Sequence, residues 1–168
     1  MDLQAGLNVR AASMLNYEAV VTGDALLMAR PLCVVGWSMG GLAAMMAAHR
    51  IEPDTLVLLE PSPPAEVQGF DEAVALEEGT YDPEDAYGAF PVRARPESLL
   101  ARSERKRGIS VASLAYRTLV VYGDEYAEER GRPVAAQYGA EELHVPGASH
   151  WDLVLGKNAA AEIVQWAR

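Results

Sequence analysis

The sequence predicts an α/β fold, a mostly parallel sheet of about four strands flanked by helices, and three observations lead there. Short runs rich in Val and Leu alternate with longer segments of helical spacing, the pattern of a parallel sheet wrapped by helices. The 168 residues are 50% apolar and 23% charged, which suits a single domain over residues 1–168 and excludes disorder or a fibrous repeat. Each apolar run closes on Gly, Pro or an acidic residue, as a buried strand does before a loop.

Ser13–Ala29 carries apolar residues at helical spacing (Leu15, Ala19, Val20, Leu26, Leu27), and Pro31 stops that helix before a strand. Leu32–Gly36 reads as the first buried strand. A second helix, dense in Ala and Met, runs from Met39 or Gly40 to about His49. Thr55–Glu60, Thr118–Gly123 and Glu142–Pro146 are the remaining strands, and a helix over Lys157–Trp166 closes the chain. No internal repeat or low-complexity tract interrupts this order.

Residues 61–117, between the second and third strands, form a connection far longer than such sheets use and are expected to be a lid. Glu66 to Asp85 holds eight acids and no Lys or Arg, whereas Pro91 to Gly108 holds six bases (Arg93, Arg95, Arg102, Arg105, Lys106, Arg107) against Glu97 and Glu104. The favoured reading is solvated helical faces that pair loosely with one another. The alternative is an anion-binding patch for a phosphate-bearing substrate such as an acyl-coenzyme A.

Fourteen Lys and Arg against 24 Asp and Glu give a net charge of −10, which would repel a phosphate backbone, so nucleic acid is not an expected partner. Cys33 is the only cysteine; it excludes an intramolecular disulfide and multi-cysteine metal sites and is expected to be a reduced core residue. The longest apolar runs fall far short of the ~20 residues that cross a bilayer, so no membrane association is expected. The opening Met1-Asp2-Leu3-Gln4-Ala5-Gly6 lacks a basic start and apolar core, which makes the cytoplasm the default location.

Chemistry concentrates in Gly36-Trp37-Ser38-Met39-Gly40-Gly41, which follows an apolar strand and opens an Ala-rich helix. A serine on so tight a strand-to-helix turn sits in a strained conformation, and small residues two positions either side, Gly36 and Gly40, avoid a collision. The turn also sets Ser38 at the positive end of a helix, where backbone N–H groups favour an oxyanion. A serine hydroxyl needs a base, and the chain has three histidines. His49 lies at a helix end and His144 inside the last strand. His150, in the loop Pro146-Gly147-Ala148-Ser149-His150-Trp151, lies where the active sites of open α/β sheets collect. The base in turn needs a carboxylate to fix its tautomer. Asp124 leads, directly after Leu119-Val120-Val121-Tyr122-Gly123; Glu125 is the close rival and Asp152 a weaker one.

These segments, GWSMGG, VVYGDE and PGASHW, resemble the α/β-hydrolase superfamily over nearly the whole chain. The resemblance implies a serine hydrolase of esterase or thioesterase type, with Ser38 as nucleophile, His150 as general base, Asp124 as orienting acid and the Met39 N–H as one oxyanion-hole donor. In many members the acid stands three residues beyond the glycine that ends its strand, a position held here by Tyr126. The elbow also arrives early, so the fold expected is a truncated α/β-hydrolase that starts near the end of the family's fourth strand. The segment that usually gives the second oxyanion donor has no counterpart, and Leu32–Gly36 should have an open edge that invites a second copy into a homodimer.

The expected activity is cleavage of a small-molecule carboxylic ester or thioester through an acyl-Ser38 intermediate, with Trp37 and Trp151, joined by Met39, Met45 and Met46, forming an apolar acyl pocket. No metal or organic cofactor is implied. The alternative is a catalytically silent remnant that binds a small ligand or a protein through the same pocket.

Overall fold

The computed structural model describes residues 1–156 and 158–167. The first helix, α1 (Met14–Ala25), starts at a reciprocal cap: the Ser13 hydroxyl accepts the Asn16 N–H, and the Asn16 side chain accepts the Ser13 N–H. Its buried residues are Met14, Tyr17, Glu18, Val21 and Ala25. The stripe expected from sequence faces outward, with Leu15, Leu26 and Leu27 exposed. Both stripes are apolar on paper, and the one carrying Tyr17 and Met14 removes more surface from water. The helix ends at Ala25 because the chain tightens there: Leu27 and Met28 donate to the Asp24 and Ala25 carbonyls.

Strand β1 (Cys33–Trp37) leads into α2 (Met39–Ile51) and β2 (Thr55–Leu59). Residues 61–117 then carry α3 (Ala65–Gln68), β3 (Thr80–Tyr81), α4 (Pro83–Tyr87), β4 (Glu97–Ser98) and α5 (Leu99–Arg107). The sheet resumes at β5 (Arg117–Tyr122), followed by a π-helical turn (Ala127–Gly131), α6 (Arg132–Tyr138), β6 (Glu141–His144), α7 (Asp152–Leu155) and α8 (Asn158–Ala167). Lys157, the expected start of the last helix, lies outside the described residues. No helix among the described residues is long and apolar enough to cross a membrane.

The main sheet has the order β1-β2-β5-β6 with every pair parallel. One face buries Leu56, Leu58, Val120 and Tyr122 against α1 and α2, where Tyr17, Leu42 and Met45 pack. The other buries Val57, Leu59, Leu119 and Val121 against Leu153 and Ala159. Among the described residues strand β1 pairs on one side only, and two of its side chains on the α8 face, Cys33 and Val35, are exposed. Cys33 is therefore not a core residue: the C-terminal helices cover the inner strands and leave the edge strand bare.

The β3–β4 ribbon is antiparallel, with Thr80 opposite Ser98 and Tyr81 opposite Glu97. This segment is tied to the body through Glu104 of α5, which accepts the Met14 N–H (2.6 Å), and through the hydroxyl of Ser98 at the end of β4, which donates to the Ala12 carbonyl (2.6 Å). Among the described residues no ion pair joins its acidic and basic halves, contrary to the loose pairing expected. Arg102 lies instead over the rings of Tyr81 and Tyr87, and Arg95 pairs with Asp2.

Candidate active site

Ser38 joins β1 to α2 with φ 52° and ψ −122°, a conformation that costs a non-glycine residue about 1–3 kcal/mol and persists only where the surroundings impose it. Two hydrogen bonds impose it here: the Ser38 N–H donates to the Leu59 carbonyl (3.0 Å), and the Ser38 carbonyl accepts the Ser62 N–H (2.9 Å). Glycine is required where backbones cross. A Cβ at Gly36 would lie 2.7 Å from Gly41 Cα, and one at Gly41 would lie 2.8 Å from Pro61 Cβ. At Gly40 it would meet only Leu3 Cδ1, at 3.4 Å, so Gly41 rather than Gly40 is the second obligatory glycine. The Met39 N–H, at the head of α2, carries no hydrogen bond among the described residues.

The imidazole of His150 meets a carboxylate that the sequence reading passed over. His150 Nδ1 donates to Glu60 Oε2 at 2.6 Å, and Glu60 is wholly buried. Glu60 follows the last residue of β2 with φ 38°; its N–H continues the ladder to the Val121 carbonyl (2.9 Å), and Oε1 accepts the Gly123 N–H (2.8 Å). Both carboxylate oxygens are thus occupied, the condition under which a buried charge is tolerated. With Nδ1 bound to an acceptor, Nε2 is the ring nitrogen left with a lone pair.

Aromatic rings hold the imidazole in place. Trp37 packs on His150 with centroids 4.7 Å apart and ring planes tilted by 32°, and its Nε1 donates to the His150 carbonyl (3.1 Å), while Tyr126 meets the imidazole edge-on at 5.3 Å. Trp151 lies 4.7 Å from Trp37, and Phe90 lies 4.9 Å from Trp151. Ser38, Met39, His150 and these rings line one cavity of about 650 Å³. Residues 61–117 supply part of its wall, including Tyr81, Tyr87, Phe90 and Arg105. Burial, with the Glu125 charge beside it, raises the Tyr126 phenol above its ordinary value and keeps it a neutral donor. Among the described residues no hydrogen bond links the Ser38 hydroxyl to His150.

A strained serine between strand and helix, with a carboxylate-bound histidine from the loop after the last strand sharing its cavity, is the arrangement to set beside known proteins. The chain has the α/β-hydrolase fold. A monoacylglycerol lipase from Paleococcus ferrophilus is similar with a TM-score of 0.62 and 15% identity, over 93% of this chain and 75% of that one. A thermophilic esterase from Thermogutta terrifontis is similar at 0.61 and 16%, over 92% and 72%. The tomato methylketone synthase I complexed with 2-tridecanone is similar at 0.62 and 13%, over 95% and 81%. The sequence matches no family model and no curated protein.

Within this α/β-hydrolase fold, Ser38, Met39, Trp37, His150 and Trp151 come together at one cavity, and Asp124 does not reach the imidazole of His150. Asp124 Oδ2 accepts the Gly147 N–H (2.8 Å) and Oδ1 meets His144 Nε2 (2.7 Å). The reason is a close crossing. The chain at Ala148 passes so near Gly123 that a Cβ there would overlap the Ala148 carbonyl oxygen, which turns Asp124 outward and carries His150 past β5 to the end of β2. Neither rival acid touches the imidazole: Glu125 accepts the His150 backbone N–H (2.9 Å), and Asp152 accepts the Ser149 N–H and hydroxyl. Met45 and Met46 line a separate cleft beside His49, whose ring nitrogen bonds the Met46 carbonyl. The sequence did hold a signal for Glu60, an acid that closes the uninterrupted apolar run Thr55-Leu56-Val57-Leu58-Leu59.

Proposed function

We propose that this chain is a serine hydrolase of carboxylic esters or thioesters, with Ser38 as nucleophile, His150 as general base and Glu60 as the acid that orients it. The observation that carries the reading is the buried Glu60–His150 hydrogen bond at the wall of the cavity that also holds the strained Ser38. Ser38 Oγ attacks the substrate carbonyl while His150 Nε2 takes its proton, and the Met39 N–H donates to the developing oxyanion. Collapse expels the alcohol or thiol, which leaves with the proton from His150. Water, deprotonated by His150, then releases the acid from acyl-Ser38. Throughout, Glu60 fixes the Nδ1–H tautomer and stabilises the imidazolium. Trp37 and Trp151 hold the apolar part of the substrate, and residues 61–117 act as its lid.

A fluorophosphonate probe tests the reading. Wild type should be labelled and Ser38→Ala should not, and p-nitrophenyl esters should be hydrolysed only by the former. Absence of labelling in both proteins would favour the silent binding module. The free edge of β1, where Val35 is 54% exposed, supports a homodimer joined along that edge. Light scattering at micromolar concentration should give twice the chain mass, and a monomer mass would overturn this.

A further inference from the structure

The cavity wall carries two arginines, and only one meets a carboxylate. Arg105 donates to Ser62 Oγ (3.3 Å) and to the Ala101 carbonyl (3.4 Å), and its guanidinium lies 3.8 Å from the Glu97 carboxylate. Arg130 is half-buried; among the described residues no carboxylate lies within 4 Å of its guanidinium and no acceptor bonds it. It sits over the Tyr126 ring, 4.1 Å from the centroid, and that ring is the one that meets His150 edge-on. In a chain of net charge −10, a cation left without a carboxylate at the wall of the reactive cavity calls for an anionic partner.

The backbone is built to put it there. Arg130 stands in the π-helical turn, where the N–H groups of Arg130 and Gly131 both reach the Tyr126 carbonyl (2.9 and 3.0 Å). Such turns are rare and gather at functional sites. This one requires glycine at position 131, because the Tyr122 ring fills the space a side chain there would need.

We propose that Arg130 is a carboxylate subsite of this cavity, so that the ester or thioester cleaved at Ser38 carries a second, free carboxylate. A carboxylate matches the guanidinium fork with two parallel hydrogen bonds. A dianionic phosphate is disfavoured, since Glu97 and Glu125 share the same wall. The ester bond in this inference rests on the hydrolase reading; the anion subsite does not.

The experiment keeps the two apart. Ser38→Ala is titrated with monomethyl glutarate and with methyl valerate, a neutral ester of similar length, and binding is read from the fluorescence of the cavity tryptophans. Monomethyl glutarate should bind about tenfold or more tightly than methyl valerate, as a charge-assisted pair implies. Ser38→Ala/Arg130→Gln should abolish that ratio, and Arg130→Lys, which keeps the charge but loses the fork, should retain part of it. Equal binding of the two esters, or a ratio that survives Arg130→Gln, overturns the subsite. Wild type is then given both esters under pH-stat. Arg130-dependent binding without turnover of either ester leaves the subsite standing and overturns the hydrolase reading, whereas turnover without preference overturns the subsite alone.

Discussion

Strands β2 and β5 lie side by side, and each is followed by a carboxylate that meets a histidine: Glu60 with His150 at 2.6 Å, Asp124 with His144 at 2.7 Å. Distance does not separate the pairs; surroundings do. In both, a backbone N–H fills the other carboxylate oxygen, but in the first the side chains are 0% and 14% exposed and the imidazole borders the cavity with Ser38. In the second, they are 60% and 36% exposed, and the imidazole stacks on Tyr122 beside open water. Water screens the second pair, so its electrostatic contribution is small, while the first acts in a poorly screened interior where it can hold an imidazolium in place. A carboxylate–histidine pair thus says little about chemistry until its burial and its access to a nucleophile are known.

The sharpest way to break this contrast is to neutralise each acid. Glu60→Gln keeps the shape and an acceptor for the Gly123 N–H but no longer favours the Nδ1–H tautomer, and kcat on a p-nitrophenyl ester should fall about 10²–10⁴-fold. Asp124→Asn should change kcat by less than about tenfold, since Asp124 reaches His150 only through the loop that carries it. Steady-state rates of the two variants, with circular dichroism to verify folding, decide the matter. A loss in Asp124→Asn as large as that in Glu60→Gln would return the acid role to position 124. Removing the side chain outright is a stability experiment instead: Glu60→Ala leaves the buried Gly123 N–H and the His150 Nδ1–H without acceptors, at a cost of about 1–3 kcal/mol for each, read as a lower urea midpoint.

That Glu60 escaped sequence reading while Ser38 did not has a physical cause. The elbow is local: strand, glycines, serine and helix follow one another within a dozen residues, so the turn is legible even though the spacing named Gly40 where the crossing with Gly36 is made by Gly41. The first three parallel strands were legible for the same reason, being continuous apolar runs, and the fourth, Glu141–His144, was legible from its place before the Pro146-Gly147 turn. Which carboxylate meets His150 depends on where a loop lands ninety residues later, which the close passage of Ala148 over Gly123 decides and no periodicity reports. Asp124 and Glu60 satisfy the same rule, an acid directly after an apolar strand, so the rule alone could not rank them. The exposure of Cys33 and the choice of the Tyr17 stripe on α1 likewise follow from which face has a neighbour. The elements of residues 61–117 other than α5 are two to five residues long, too short for a period to declare itself.

The smallest effect concerns acid stability. The Gly147 N–H, and after it the His144 ring, hold the Asp124 carboxyl below its ordinary value of 3.8. A carboxyl whose pKa is lower in the folded state adds stability that is complete above the unfolded value and is lost as pH falls through the folded one. Below about pH 4, then, wild type should give up this contribution, and Asp124→Asn, which has no proton to gain there, should not. The pair is exposed, so global melting temperatures should differ little, and the readout belongs at the loop itself: the amide protection of Gly147, compared between pH 5 and pH 3 by hydrogen exchange, should drop in wild type and stay level in Asp124→Asn. Parallel declines in both proteins would mean that the 145–150 loop is held by the crossing at Gly123 alone, and that the second carboxylate–histidine pair does not position His150 at all.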